Sequence, residues 1–253
     1  MKTIQISNWE HLEKALRVQY SRSDLIFRGV PNIDFKLQPK VGRRIEGIRR
    51  YRLALELGLF ARYKQFAALH LAQIPSSDWD WLAQAQHHGL PTRLLDWTFS
   101  PLVATWFALS SRFKDIPRQR ASQPPPERPA AVYVTKMPPW VDVKMASDPF
   151  EVGEVVSFLP THVSRRITAQ SGVFTVHPWP NTDWDDPGVS VLSLDFDEST
   201  WREATKALMR FGVHRYSIFP DLEGLTGHLA MLYARGFNLT YGEAAKLMPA
   251  PKY

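Results

Sequence analysis

The chain has 253 residues, 44% of them hydrophobic, with nine tryptophans, fourteen phenylalanines, no cysteine and a formal net charge of +6. The aromatic content supports a substantial core and excludes an intrinsically disordered chain. The lack of cysteine excludes disulfides, thiolate metal sites and a cysteine nucleophile. No apolar run approaches the roughly 20 residues that cross a bilayer, and the opening MKTIQISNWEHLEKAL lacks the apolar core of a signal peptide. A cytoplasmic protein without a membrane partner is therefore expected. The positive charge permits a nucleic-acid or nucleotide partner without demanding one. The length suits one large domain, and 1–253 is read as such.

Residues 8–18 read as a helix capped by Ser7 or Asn8, with Leu12, Leu16 and Val18 on an apolar face. Residues 24–30 (DLIFRGV) read as a short strand that Arg28 interrupts. An arginine there is costly unless it has a partner, so Arg28 either meets a polar group or sits at an edge in water. A long helix is expected over 45–71, where Tyr51, Leu55, Leu59, Tyr63 and Phe66 recur at spacings of three and four. Arg43, Arg44, Arg49, Arg50, Arg52, Arg62 and Lys64 give it a basic side, read as a solvated face or as a surface for phosphates. The run Ser76-Ser77-Asp78 caps a helix bearing Trp79, Trp81 and Leu82.

The segment 84–108, QAQHHGLPTRLLDWTFSPLVATWFA, carries the densest chemistry. Gln86, His87, His88, Arg93, Asp96 and Thr98 fall within thirteen residues, ahead of an apolar helix expected over 101–113. The segment reads as loop, short buried strand, then helix, a junction where sites often sit. Arg93 and Asp96 could equally form a structural ion pair that locks the loop. Residues 114–129 contain Pro124-Pro125-Pro126 and read as a surface loop. Beyond it, strands are expected over 131–136, 155–159, 166–176 (interrupted at Ser171-Gly172), 189–196 and 213–218. Helices are expected over 199–209 and 222–233. Helices first and strands later make an α+β chain rather than a βαβ alternation.

There is no P-loop, no GxGxxG after a strand and no GxSxG elbow. His87 and His88 are adjacent, so they cannot form the i, i+4 pair of a helical zinc site. Ligands as distant as His162, His177 or His214 would have to converge, and no metal is expected. What the sequence offers is dispersed: Arg28 on an early strand, Asp96-Trp97-Thr98 before a helix, and 166–170 on a later element. An arginine can bind a phosphate bidentately, a carboxylate or hydroxyl can hold a ribose, and aromatics can stack on a flat ring.

Phe27-Arg28-Gly29, QHHGLPTRLLDWT (86–98) with SPLVATWFA after it, RITAQSGVF (166–174) and FPDLEG (219–224) together resemble the FRG domain, over about residues 20–230. A second resemblance is to ADP-ribosyltransferases. These carry an aromatic-Arg-Gly motif on a first strand and a second strand running into a helix that reads like SPxxAxxFA. Phe27-Arg28-Gly29 is similar to the first. Asp96-Trp97-Thr98, with Ser100-Pro101, Ala104, Phe107 and Ala108, is similar to the second. In the third element Gln170 stands where a glutamate is expected, and Glu154 is the nearest acidic residue upstream.

The resemblance implies an ADP-ribosyltransferase-like split β-sheet core with an N-terminal helical portion, and a cleft that takes NAD as substrate. Phe27, Arg28, Gly29, His88, Arg93 and Thr98 would bind the dinucleotide. Arg28, Asp96, Thr98 and Gln170 or Glu154 would serve the transfer of ADP-ribose to a nucleic-acid or protein acceptor. It also implies a toxin or phage-defence effector with an antitoxin or defence-system partner. The departure at Gln170 favours a non-catalytic nucleotide sensor as the alternative, and the positive charge a nucleic-acid-binding module.

Overall fold

The computed structural model describes residues 1–43, 51–71, 73–113, 128–145, 148–161 and 165–235. In chain order the elements are β1 (Lys2–Ile6), α1 (Trp9–Gln19), β2 (Leu25–Val30), α2 (Leu53–Ala67), α3 (Asp78–His87), β3 (Leu94–Thr98), α4 (Pro101–Leu109), β4 (Ala130–Lys136), β5 (Val156–Phe158), α5 (Arg165–Ala169), β6 (Gly172–Val176), β7 (Ser190–Leu194), α6 (Glu198–Arg210), α7 (Arg215–Ile218) and α8 (Leu222–Arg235). Among the described residues the strands form one seven-stranded sheet, ordered β1-β7-β4-β2-β3-β6-β5. Only the edge pair β1–β7 is parallel. Helices beside a mainly antiparallel sheet make the expected α+β class.

Local chemistry sets most boundaries. The Asn8, Ser77, Ser100 and Asp197 side chains each accept a backbone N–H in the first turn of α1, α3, α4 and α6, the ordinary N-cap device. Pro101 occupies the first turn of α4, where its missing N–H costs no hydrogen bond.

The side chains of β2, β4 and β7 alternate between two cores, as the period of a strand requires. Phe27, Val132, Val134, Leu192 and Leu194 pack under α1, α4 and α6 with Leu12, Trp106 and Trp201. Ile26, Val30, Ala131, Tyr133 and Val191 face the other way, with Leu95 and Trp97 of β3 and the loop residue Leu37. A third cluster joins Leu94, Phe174, Val176 and Phe158 to Trp79, Trp81 and Leu82 of α3 and Phe60 of α2.

Four expectations are corrected. The opening residues form an edge strand, β1, which periodicity did not mark because only Ile6 is buried. Residues 166–176 are not a broken strand: Arg165–Ala169 is a short helix with Ile167 as its one buried residue, and the turn at Ser171, with φ 48°, starts β6. Residues 213–218 are not a strand either. The His214 ring accepts the Ser217 N–H while the Ser217 hydroxyl accepts the His214 N–H, and this reciprocal cap starts α7. The long helix begins at Leu53, not 45, because Tyr51 and Arg52 are extended or irregular; 44–50 lie outside the described residues, as does most of the proline-rich 114–129. Arg44, Arg49 and Arg50 therefore cannot be placed. Of the other basic residues, Arg43 donates to Gln38 O and Lys64 pairs with Asp78.

Candidate functional site

β2 and β3 are neighbours that barely pair. β4 follows β2 along its whole length and β6 follows β3 likewise, but β2 and β3 share the single register pair Phe27–Thr98. Beyond that rung the two halves of the sheet part. Had the antiparallel ladder continued, Arg28 would lie opposite Trp97 and Gly29 opposite Asp96. Instead the Arg28 side chain enters the gap. Its Nη1 donates to Asp96 O at 2.5 Å and lies 3.8 Å from Asp96 Oδ2. The guanidinium thus satisfies a backbone carbonyl that the parted ladder leaves open, and a nearby carboxylate answers its charge.

The gap opens into a cleft of about 310 Å³ lined by Phe27, Arg28, Gly29, Gln86, His87, Asp96, Thr98, Phe107, Arg166, Gln170 and Phe219, among others. Gly29 belongs there for a packing reason. A Cβ on it would lie 1.8 Å from Ala104 O, so only glycine lets α4 press against β2. The motifs around Arg28 and after Ser100 are therefore two sides of one contact.

Each polar group of the lining is held by the scaffold. Asp96 is more than half exposed, and its Oδ2 accepts the Gln86 Nε2–H at 2.8 Å. The Gln86 amide is oriented in turn by Thr92, whose hydroxyl donates to Gln86 Oε1 at 2.7 Å. The Thr98 hydroxyl donates to Gln170 O at 2.6 Å and accepts the Ser100 N–H at 2.9 Å, so it joins β3, the α5–β6 turn and the start of α4. Arg166 donates twice to Asp221 Oδ2, from Nε at 3.0 Å and Nη2 at 2.6 Å, and lies over the Phe219 ring. The FPDLEG segment thus docks on the α5 segment, and Gly224 permits the turn because a Cβ would meet Phe219 O at 1.7 Å.

The electrostatics follow from burial and from these hydrogen bonds. Burial pulls the Arg28 guanidinium below its ordinary value, with Asp96 working against the shift. Burial also lowers the His87 imidazole, helped by His88 and by the Arg166 charge and opposed by Asp96. The backbone N–H of Gly224 and the Arg166 side chain hold Asp221 below the usual carboxylate range.

Residues 23–116 match the FRG domain. No curated protein and no solved structure matches this chain. The FRG match runs from before β2 to beyond α4. It contains Arg28, Gln86, His87, Asp96 and Phe107, and the other wall of the cleft, with Arg166, Gln170 and Phe219, lies outside it.

The structure brings together Phe27, Arg28, Gly29, Asp96, Thr98 and Gln170 as the sequence suggests. It does not bring Arg93, His88 or Glu154 there. Arg93 is 1% exposed and turned to the opposite side of its segment, where Nε and Nη2 clasp both Glu56 oxygens at 3.1 and 2.8 Å. Tyr51 Oη accepts a further bond from it, and its guanidinium lies over the Phe150 ring. It pairs with Glu56 and not with Asp96. His88 follows the end of α3 and lies on a shallow apolar groove along α2, its ring bonded to Gln84. Glu154 precedes β5 and lines a separate hollow with His177 and Trp184. Gln170 is on the turn after α5, its Nε2 3.4 Å from Ile218 O. Thr98 reaches the cleft with its hydroxyl already used.

Gln86, His87, Arg166, Phe107 and Phe219 also line the cleft; the sequence motifs contain them without assigning them a binding or catalytic role. The helical spacing of α3 separates the adjacent histidines by about 100°, which is why His87 faces the cleft and His88 does not. Arg166 opens the 166–170 element that the sequence offered, but its orientation depends on the Asp221 contact 55 residues later. His162 lies outside the described residues. Among those described, no group of three His, Asp or Glu converges, and no helix is long and apolar enough to cross a membrane.

Proposed function

We propose that the cleft at the β2–β3 junction takes NAD as substrate and that the chain transfers ADP-ribose to a nucleophile on a nucleic-acid or protein acceptor. One observation carries the reading: among the described residues two guanidiniums, Arg28 and Arg166, and a single carboxylate, Asp96, line the same cleft beside the aromatic rings of Phe107 and Phe219. The donor set suits the ligand. Guanidiniums grip a diphosphate with charge-assisted bonds, the ring edges and faces of Phe107 and Phe219 suit a flat base, and a carboxylate holds ribose hydroxyls. The cleft is small for a whole dinucleotide, at the low end of ordinary ligand pockets. One nucleoside half would sit in it and the other would extend from its mouth.

In this reading Arg28 binds the diphosphate and fixes Asp96 through the backbone. Asp96 meets the positive charge that develops at the ribose carbon as nicotinamide departs. Gln86 keeps the carboxylate aimed, so little reorganisation is needed at that moment. The carboxylate role passes to Asp96, because Gln170 is neutral and Glu154 is elsewhere.

The test is nicotinamide release by purified protein, with total RNA, DNA or lysate protein as acceptor. Asp96→Asn should lower turnover about 10²-fold or more, as loss of a preorganised charge does. Equal turnover in Arg28→Ala would refute the reading. A second reading, a nucleotide sensor, is favoured by the lack of a glutamate lining the cleft among the described residues. It expects a thermal shift with NAD and no nicotinamide.

A further inference from the structure

His87 ends α3 and lines the cleft, and its ring has no hydrogen-bond partner among the described residues. Arg28 is used on Asp96 O, Gln86 on Thr92 and Asp96, Arg166 on Asp221 and Thr98 on Gln170 O. The His87 ring makes an edge-on contact with the His88 ring, centroids 5.0 Å apart, and no hydrogen bond to any described residue. Its neighbours come from three other elements: Arg166 from α5, Asp96 from β3 and, lining the same cleft, Arg28 from β2. A half-buried imidazole beside guanidiniums is held neutral near pH 7, with a lone pair available on one ring nitrogen.

We propose that His87 is the general base of the transfer step, taking the proton of the acceptor's attacking hydroxyl. The proposal rests on the ADP-ribosyl-transfer reading. The bond from the ribose carbon to the nicotinamide nitrogen breaks, and its electron pair leaves with a now neutral nicotinamide. The acceptor oxygen forms the new bond to that carbon. Its proton passes to the free nitrogen of His87, which then gives it to water. Asp96 stabilises charge in this step, and His87 moves the proton, so the two roles separate on variation.

The experiment measures ADP-ribose transfer and NAD affinity for the wild type, His87→Ala and His87→Gln from pH 5 to 9, with NAD and total RNA, DNA or lysate protein. Wild-type transfer should fall about tenfold per pH unit on the acidic side, as the imidazole takes up its proton. His87→Ala should lose about 10²-fold in transfer rate, lose that acidic limb, keep NAD affinity within twofold, and regain rate with added imidazole. His87→Gln should behave as the alanine variant without rescue. Transfer by His87→Ala at the wild-type rate, or a loss that keeps the acidic limb, overturns the role alone. Absence of nicotinamide release by the wild type with every acceptor overturns the transfer reading and the role together.

Discussion

Replacing Arg93 tests whether the densest motif of the chain builds the scaffold or the site. Arg93 and Glu56 are 1% and 2% exposed at their side chains, and the guanidinium spends three donors on Glu56 and Tyr51 and faces Phe150. Arg93→Met keeps much of the apolar volume and leaves the Glu56 carboxylate buried without its cation. Breaking a buried pair from one side costs about 3–5 kcal/mol. At roughly 2–4 °C per kcal/mol for a chain of this size, the melting midpoint should fall by roughly 6–20 °C. The double variant Arg93→Met with Glu56→Leu removes both charges and should recover most of that loss. Thermal melts of the three proteins give the stability, and nucleotide-induced thermal shifts below the midpoint give the site. The variant should bind nucleotide as the wild type does once folded. A midpoint within 2 °C of wild type together with lost nucleotide binding would refute the scaffold assignment and return Arg93 to the cleft.

Gly29→Ala should unseat α4 from β2, because the added methyl would meet Ala104 O at 1.8 Å; a loss of about 3 kcal/mol or aggregation is expected, read by soluble yield and melting. Arg28→Lys can still donate to Asp96 O and should keep the fold, yet nucleotide affinity should drop at least tenfold in titration calorimetry, since an ammonium lacks the bidentate fork. His177 is 3% exposed and burial, with the Arg28 charge, lowers it to about 3. The unfolded chain therefore binds the extra proton between about pH 6.5 and 3, and acid destabilises the fold there by up to about 1.4 kcal/mol per pH unit. His177→Gln should flatten this dependence in urea unfolding from pH 4 to 7; an unchanged slope would show that His177 is already protonated in the fold.

The elements with strong local signals were legible in the sequence, and those defined by distant contacts were not. α1, α3, α4 and α6 announce themselves through caps and apolar spacing. β4 and β7 are short, largely apolar runs that need no partner information. α5 and α7 have five and four residues, too few for a period to show, and both are fixed by turns and caps. The cleft was legible in its FRG-matching half, where Arg28 interrupts an apolar strand and so had to meet a polar group or lie at an edge in water. The face of Arg93 was not, because Glu56 lies 37 residues away on a helix whose apolar stripe gives no sign of a buried acid. The same holds for Arg166, whose position depends on Asp221.

The parted ladder explains why the site sits where it does. β2 is committed on one edge to β4 and on one face to α4, through the Gly29 contact. β3 is committed to β6 and, through Leu94, to the cluster under α3. On this face each half of the sheet has its own cover, while on the other Ile26 and Val30 share a core with Leu95 and Trp97, and the two strands keep one rung in common. A parted sheet leaves backbone acceptors without ladder partners, and a buried acceptor must be met or hydrated. Arg28 meets one of them, which pins a cation at the floor of the opening. The opposite wall is then closed by α5 and the FPDLEG turn, joined through Arg166 and Asp221. The Arg28 bond that joins the two half-sheets and the Arg166–Asp221 pair thus set two cations and a carboxylate around one cleft of about 310 Å³. On the proposed reading, the ligand for this space carries negative charge beside a flat ring.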